Sequence, residues 1–373
     1  MTDSSGFASV RFQKLSIRSL RNIALIEIEP APGLNVIVGD NGQGKTSLLE
    51  AIYLVATTRS FRSERLVTLL RMGDERALVR ATIQEDGYAR EQRVTLSKKG
   101  RSVELDGKRP VALSAYATRT PVVVFHPADL ELVSGAEAGR RRLLDRLVLF
   151  LDPPGAEARA RYGLALQSRQ RVLEERGATA RELTAFEAVM AEAGARLCRA
   201  RRVVAEALGS ALADSFSRIA ASQLRLRVHY RAGGSEDAEA FRLALFERRI
   251  MDTRRRRATF GPQRDELELE LEGRPARHHA SQGQQRLLAL SLKLSELECI
   301  RLARRAQPVL LLDDVSSELD PSRTGAVYDF VQGSASQIFV TTTRPELFAP
   351  GARASDQALW RLLAGAICRP DET

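Results

Sequence analysis

The chain has 373 residues, 44% of them apolar, and a formal net charge of +10, which fits two domains or one large domain with an insertion. Three widely spaced cysteines, Cys198, Cys299 and Cys368, argue against a disulfide framework or a zinc cluster and fit a reducing compartment. The start, MTDSSGFASVRF, does not read as a secretion signal, and no stretch approaches the ~18 apolar residues of a membrane span, so a soluble cytoplasmic protein is expected.

From Val10 to Val38 the chain reads as strands: VRFQKLSI, IALIEIE and LNVIV cluster or alternate apolar residues, with Pro30, Pro32 and Gly33 between them. A helix is predicted from Thr46 through SLLEAIYLVAT, where apolar residues take helical spacing. The segments ERALVRATIQ, REQRVTLSKKG and RSVELDGKR follow as an antiparallel meander, and PVVVFHP is a buried strand ending at Pro127. From about Asp129 to Ser217 almost every residue is a helix former. RRRLLDRLVLFL stops at Pro153-Pro154, and Ala156–Arg176 and Thr179–Phe216 give two long helical patterns around Gly177. Strand signals return with QLRLRVHY and DELELELEG. A helix then opens near Ser281, VLLLDD is a short apolar run ending in acid, and IFVTTT is a last strand. The expected organisation is an α/β domain made of residues 1–127 and 218–373, interrupted by a helical domain over 128–217.

Gly39-Asp40-Asn41-Gly42-Gln43-Gly44-Lys45-Thr46 fits G-x-x-x-x-G-K-[ST] without a mismatch, and it follows a strand and opens a helix. Its glycines let backbone amides fold around a phosphate chain at the positive end of a helix dipole. Lys45 is expected to reach the β and γ phosphates of ATP, and the Thr46 hydroxyl to ligate Mg2+. The strand ending in Asp313 and Asp314 supplies the matching acids. Asp313 is expected at the magnesium, and Asp314 to orient or deprotonate the attacking water. Ser281-Gln282-Gly283-Gln284-Gln285 opens a helix about thirty residues earlier. Alone, Ser281 is a good N-cap; together with the loop at Lys45 it makes a second phosphate-binding helix start.

The net charge leaves two explanations open. Lys and Arg can hold nucleic-acid phosphates, yet only six of the 57 basic residues are Lys, as a compositional arginine bias would also give. Between Arg140 and Ala205 there are fourteen Arg, no Lys and eight acidic residues, either a solvated helix surface or a DNA-facing one.

In this order and spacing the three motifs resemble those of the ABC ATPases, which dimerise head to tail so that one subunit's signature helix covers the γ-phosphate of the other. Ser317-Glu318-Leu319-Asp320 matches their D-loop position, and Thr343 stands where transporter ATPases carry a switch histidine, which hints at slow turnover. Within that class the sequence is similar to the RecF family over nearly its whole length. The matching segments include SLRNI near Asn22, GDNGQGKTSLLEAIY, RSFR at Arg59–Arg62, FHPADLELVSGAEAGRRRLLD, TFGPQRDEL, ASQGQQRLLALSLKL and LLLDDVSSELD. Gln263 departs from the histidine usual in GPQRDEL. The resemblance implies an ABC-type, Rad50/SMC-head-like P-loop fold and an ATP-dependent homodimer. It further implies binding to single-stranded and gapped double-stranded DNA, weak DNA-stimulated ATPase activity, and work with RecR and RecO that places RecA on gaps. The alternative is another SMC/Rad50-like DNA-maintenance ATPase. Against it, the longest helical pattern is roughly 38 residues, about 57 Å, without a sustained heptad.

Overall fold

The computed structural model describes residues 6–220, 224–314, 333–345 and 356–368. By its internal contacts the chain forms two compact units, one of Met1–Asp129, Arg218–Ala220 and Lys293–Thr373, the other of Leu130–Ser217 and Ala221–Leu292.

The first unit opens with strands β1 (Ala8–Leu20), β2 (Ile23–Ile28) and β3 (Leu34–Val38), then helix α1 (Lys45–Thr57). The meander β4 (Arg76–Glu85), β5 (Tyr88–Ser97) and β6 (Gly100–Leu105) follows, then the short helix α2 (Leu113–Ala117) and strand β7 (Val122–Phe125). Valine, isoleucine and alanine alternate along β4, so one face is buried and the other is partly wet.

The second unit contains α3 (Glu131–Ser134), α4 (Glu137–Leu151), α5 (Pro153–Arg176) and α6 (Leu183–Ala220), whose last turn belongs to the first unit. Asp152 separates α4 from α5 because its carboxylate accepts from the Gly155 amide, and prolines fill the first turn, where no backbone donor is needed. Strand β8 (Leu226–Arg231), helices α7 (Ala238–Glu247) and α8 (Arg249–Arg255), β9 (Glu266–Leu271), β10 (Arg274–Pro275) and α9 (Ala276–His279) complete it, with the first turns of α10 (Gln282–Arg304). The expected insertion stops at residue 217, whereas this unit continues through 221–292. The reason is a set of buried ion pairs. Arg140 of α4 forks onto Glu266 at 2.8 and 3.1 Å, and Arg201 of α6 holds Asp265 at 2.7 Å. Arg169 of α5, fully buried, reaches Glu187 at 2.9 Å and Asp252 of α8 at 2.7 Å. These carboxylates lie in 221–292 or on α6, so burying the arginines holds the later segment to the helices.

The chain returns to the first unit through β11 (Ala306–Gln307), β12 (Val309–Leu312), β13 (Gln337–Thr342), β14 (Gln357–Leu363) and β15 (Ala366–Cys368). One sheet runs β11-β1-β4-β5-β6 with β2 beside β1, and the other runs β15-β14-β3-β13-β12-β7. In the second sheet β7, β12, β13, β3 and β14 are parallel, and the first four are continuous buried runs, as sheets covered on both faces require. Leu48, Leu49, Ile52, Leu54 and Val55 of α1 join one core with residues of both sheets. Of α1 only Thr46 is not buried, so this helix is covered nearly all round, its polar Lys45, Ser47, Glu50 and Thr57 included. No helix among the described residues is long and apolar enough to cross a membrane.

Candidate functional site

Strand β3 lies between β13 and β14, and its C-terminal end delivers residues 39–46 to the edge where the parallel strands finish. Gly39 has φ 158°, and a Cβ there would stand 2.5 Å from the Leu362 carbonyl of β14, so no side chain fits. Gly44 begins α1 in the left-handed region (φ 109°), against the side chain of Asn22. The loop is held from two sides. Asn22 Nδ2 donates to the Gly42 carbonyl at 3.3 Å, and Gln43 accepts from the amides of Ala364 (2.5 Å) and Gly365 (2.9 Å) at the β14–β15 turn. Gly44 at the N-cap has no side chain to cap α1 and the first turn holds no acid, which leaves the leading amides and the dipole behind them to an anion. Lys45 is buried, and its ammonium donates to the carbonyls of Gly39 (2.5 Å) and Asp40 (3.0 Å) over the loop.

Strand β12 brings the acids to the same edge. Its four apolar residues are wedged between β7 and β13, and Asp313 continues the pairing by donating its amide to Phe125 O at 2.9 Å. Asp313 Oδ1 accepts the Thr46 hydroxyl at 2.9 Å and the Thr341 hydroxyl at 2.8 Å. Burial pushes the Asp313 carboxyl above the usual range, and these two hydroxyls pull it back. Asp314 follows in the left-handed region (φ 52°) and donates its amide to Thr341 Oγ1 at 2.9 Å. Thr341 thus fixes both acids. The motifs do not point to it, although a run of three threonines ending a strand was the available signal. Thr46 and Asp313 offer two oxygen donors side by side, the hard ligand type that Mg2+ takes when phosphate and water complete its shell. Among the described residues no group of three His, Cys, Asp or Glu could hold a metal without such help.

His126 is a second residue that no sequence motif assigns. It follows β7, whose Phe125 pairs with Leu312 just before Asp313. Its ring lies 5.0 Å from that of Phe61, which meets Tyr53 edge-on at 5.6 Å, and its Nε2 stands 3.6 Å from Asp129 Oδ1. Burial lowers the imidazole's pKa against the opposing pull of Asp129. Phe61 comes from RSFR, and the same segment meets α1 at Glu50. That carboxylate is fully buried and takes Arg21 in a fork at 2.8 and 3.0 Å, with the Ser60 hydroxyl and Arg62 at its other side. SLRNI and RSFR therefore serve one carboxylate one turn below the loop.

The other predicted segment, Ser281–Gln285, belongs to the second unit. Ser281 Oγ accepts from the Gln284 amide at 3.3 Å while Gln284 Oε1 accepts from the Ser281 amide at 2.8 Å, a reciprocal capping box at the start of α10. Residues 281–283 are exposed. Gln263 is internal to that unit: it accepts from the Tyr162 hydroxyl at 2.7 Å and donates to Phe260 O at 2.8 Å. Thr343 is exposed just after β13, and Ser317–Asp320 lie outside the described residues.

A phosphate-cradling loop, an acid at the end of the parallel strand next but one and a helical insertion define a P-loop ATPase head of the ABC type. An Smc head domain from Pyrococcus furiosus, 17% identical, superposes with a TM-score of 0.56 over 96% of this chain and 95% of its own, and shares the fold. The family described as RecF/RecN/SMC N terminal domain matches residues 11–358. Within it the chain belongs to the RecF proteins. The DNA replication and repair protein RecF of Anaeromyxobacter sp. (strain Fw109-5) is 38% identical over 96% of this chain and 99% of its own length. A solved structure described as the recombination mediator protein RecF with ATP in the RecFOR pathway is 27% identical. It covers 98% of this chain and 99% of its own, with a TM-score of 0.87.

Proposed function

We propose that the chain binds ATP with Mg2+ at residues 39–46 and closes on it as a head-to-tail homodimer that holds DNA. The observation that carries this is the Thr46–Asp313–Thr341 junction, which sets an oxygen pair beside a glycine loop shaped for phosphates. Lys45 turns from the loop carbonyls to the β and γ phosphates, and the α1 amides take the remaining oxygens. Thr46 and Asp313 would hold the magnesium, which would supply positive charge against the phosphate oxygens. Asp314 orients the attacking water and takes its proton. Ser281–Gln285 of the partner copy cap the γ-phosphate through the exposed start of α10, and this contact completes the site. The ABC resemblance and the family membership support the trans arrangement.

By the same membership the protein acts in replication and repair of DNA, favours single-stranded and gapped duplex DNA, and works with RecR and RecO to place RecA. Its ATPase is weak and DNA-stimulated; Thr343, where transporters carry a histidine, favours slow turnover. Sedimentation velocity tests the reading. Mg-ATP with gapped DNA should convert monomer to dimer, and Asp314→Asn should hold that dimer while turnover falls. A wild-type chain that stays monomeric in every nucleotide state would reject the head-to-tail dimer.

A further inference from the structure

Most arginines of the second unit serve its own fold. Arg140, Arg169, Arg196 and Arg201 each hold a carboxylate within its core or at its margin. A different set does not. At the end of α8 the sequence continues through Arg256 and Arg257, and Arg264 follows in the next turn. None of the three has a carboxylate within 4.0 Å among the described residues. With Arg171 of α5, which pairs with Glu175 at 2.8 Å, they line an open cleft of about 500 Å³ whose lining holds one carboxylate, Glu174, and the amides of Gln167 and Gln170.

The fold presents these side chains on a well-tied backbone. Arg256 is the C-cap of α8 with φ 49°, a conformation usually given to glycine or asparagine. The segment after it is tied to the buried Asp252, whose backbone carbonyl accepts from the Arg257 amide at 3.2 Å. The Asp252 carboxylate takes both the amide (2.9 Å) and the hydroxyl (2.7 Å) of Thr259. Arg264 is fixed from its backbone by a bond to Gly261 O at 2.9 Å. Guanidinium forks held without a carboxylate partner match phosphate oxygens two at a time, and little backbone ordering is left to do on binding.

We propose that this cleft is a binding site for the phosphodiester backbone of a nucleic-acid strand, placing DNA on the second unit. It rests on the DNA-binding reading above and adds the residues that would grip the strand. The arginine-rich stretch between 140 and 205 is where the sequence suggests such a surface; the structure commits most of those arginines to internal pairs, and those without a carboxylate among the described residues include 256, 257 and 264.

The test measures DNA affinity by fluorescence anisotropy across salt, on the full chain with ATP, using single-stranded and duplex oligonucleotides. The variants are R256Q/R257Q, R264Q and, as a control, R231Q, an exposed arginine paired with Glu268 elsewhere in the unit. Each arginine–phosphate pairing removed should flatten the slope of log affinity against log salt by about 0.9 on duplex or about 0.7 on a single strand. At ~0.1 M salt that is about eightfold or fivefold in affinity per phosphate, and the slope tells which form the cleft holds. ATP binding and thermal unfolding should stay as in wild type, and R231Q should bind normally. Unchanged slopes in both cleft variants, with wild-type DNA binding intact, would overturn the cleft alone. An equal loss in R231Q would make the effect one of overall charge and would also overturn it. Polyglutamate that competes as well as DNA would assign the cleft to an acidic protein instead. A wild-type chain that binds no DNA would remove the broader reading and the cleft together.

Discussion

Lys45 and Thr46 belong to a loop whose shape the sequence announces, since glycine at three of eight positions before a helix has few other uses. Lys45→Ala should therefore abolish tight ATP binding while leaving the fold intact, because among the described residues the ammonium bonds only to loop carbonyls. Titration with a fluorescent nucleotide reads this, and wild-type affinity in the variant would refute the assignment. Thr341 and His126 were not legible, because each acts through a neighbour that lies far away in sequence. Thr341 meets Asp313 only because β13 pairs with β12, and His126 meets Phe61 only across the unit's core. His126 also gives a pH signature. Its folded pKa is below the ordinary 6.5, so the unfolded chain binds the proton first as pH falls. The stability linked to the neutral ring is full above about pH 6.5 and is lost as pH drops toward the folded value. Comparing denaturant midpoints of wild type and His126→Gln across pH 5–8 should show a gap that changes only on the acid side. Parallel curves would mean that the ring titrates as it does in water.

Among elements, the strands and long helices were readable from period, but the end of the insertion was not. Composition changes near residue 217, where the helix formers give way to QLRLRVHY, so a boundary there is the natural inference. What carries the unit on to residue 292 is pairing between residues tens of positions apart, such as Arg169 with Asp252, and no local pattern encodes it. Helices α7 and α8 were missed for a related reason. Each is short, and the apolar residues Phe246, Ile250 and Met251 remain largely exposed, which blurs a helical stripe. The pairing makes a sharp prediction. Arg169→Met leaves the fully buried Asp252 carboxylate without a cation, while Glu187 keeps Arg249 at 2.6 Å, and should cost about 3–5 kcal/mol in urea unfolding. Arg171→Met, which breaks only an exposed pair with Glu175 one turn further along α5, should cost no more than about 0.5 kcal/mol. Equal effects would show that burial does not distinguish the two.

For the whole molecule the central claim is that two chains build each ATP site. It accounts for a feature that a single chain leaves without a use, an exposed, well-capped helix start at Ser281–Gln285 that carries a family motif in a unit separate from the loop. The direct measurement is ATPase activity on mixing two chains. Ser281→Arg keeps the loop and acids but blocks the capping surface, and Asp314→Asn keeps the capping surface but loses the water-orienting acid. Each should be inactive alone. In a mixed dimer one site carries both lesions, while the other joins the intact acids of the first chain to the intact cap of the second. Random pairing makes about half the dimers mixed, so activity should return to about a quarter of the wild-type level. Mixed dimers verified by crosslinking yet no more active than either variant alone would contradict a site shared between subunits.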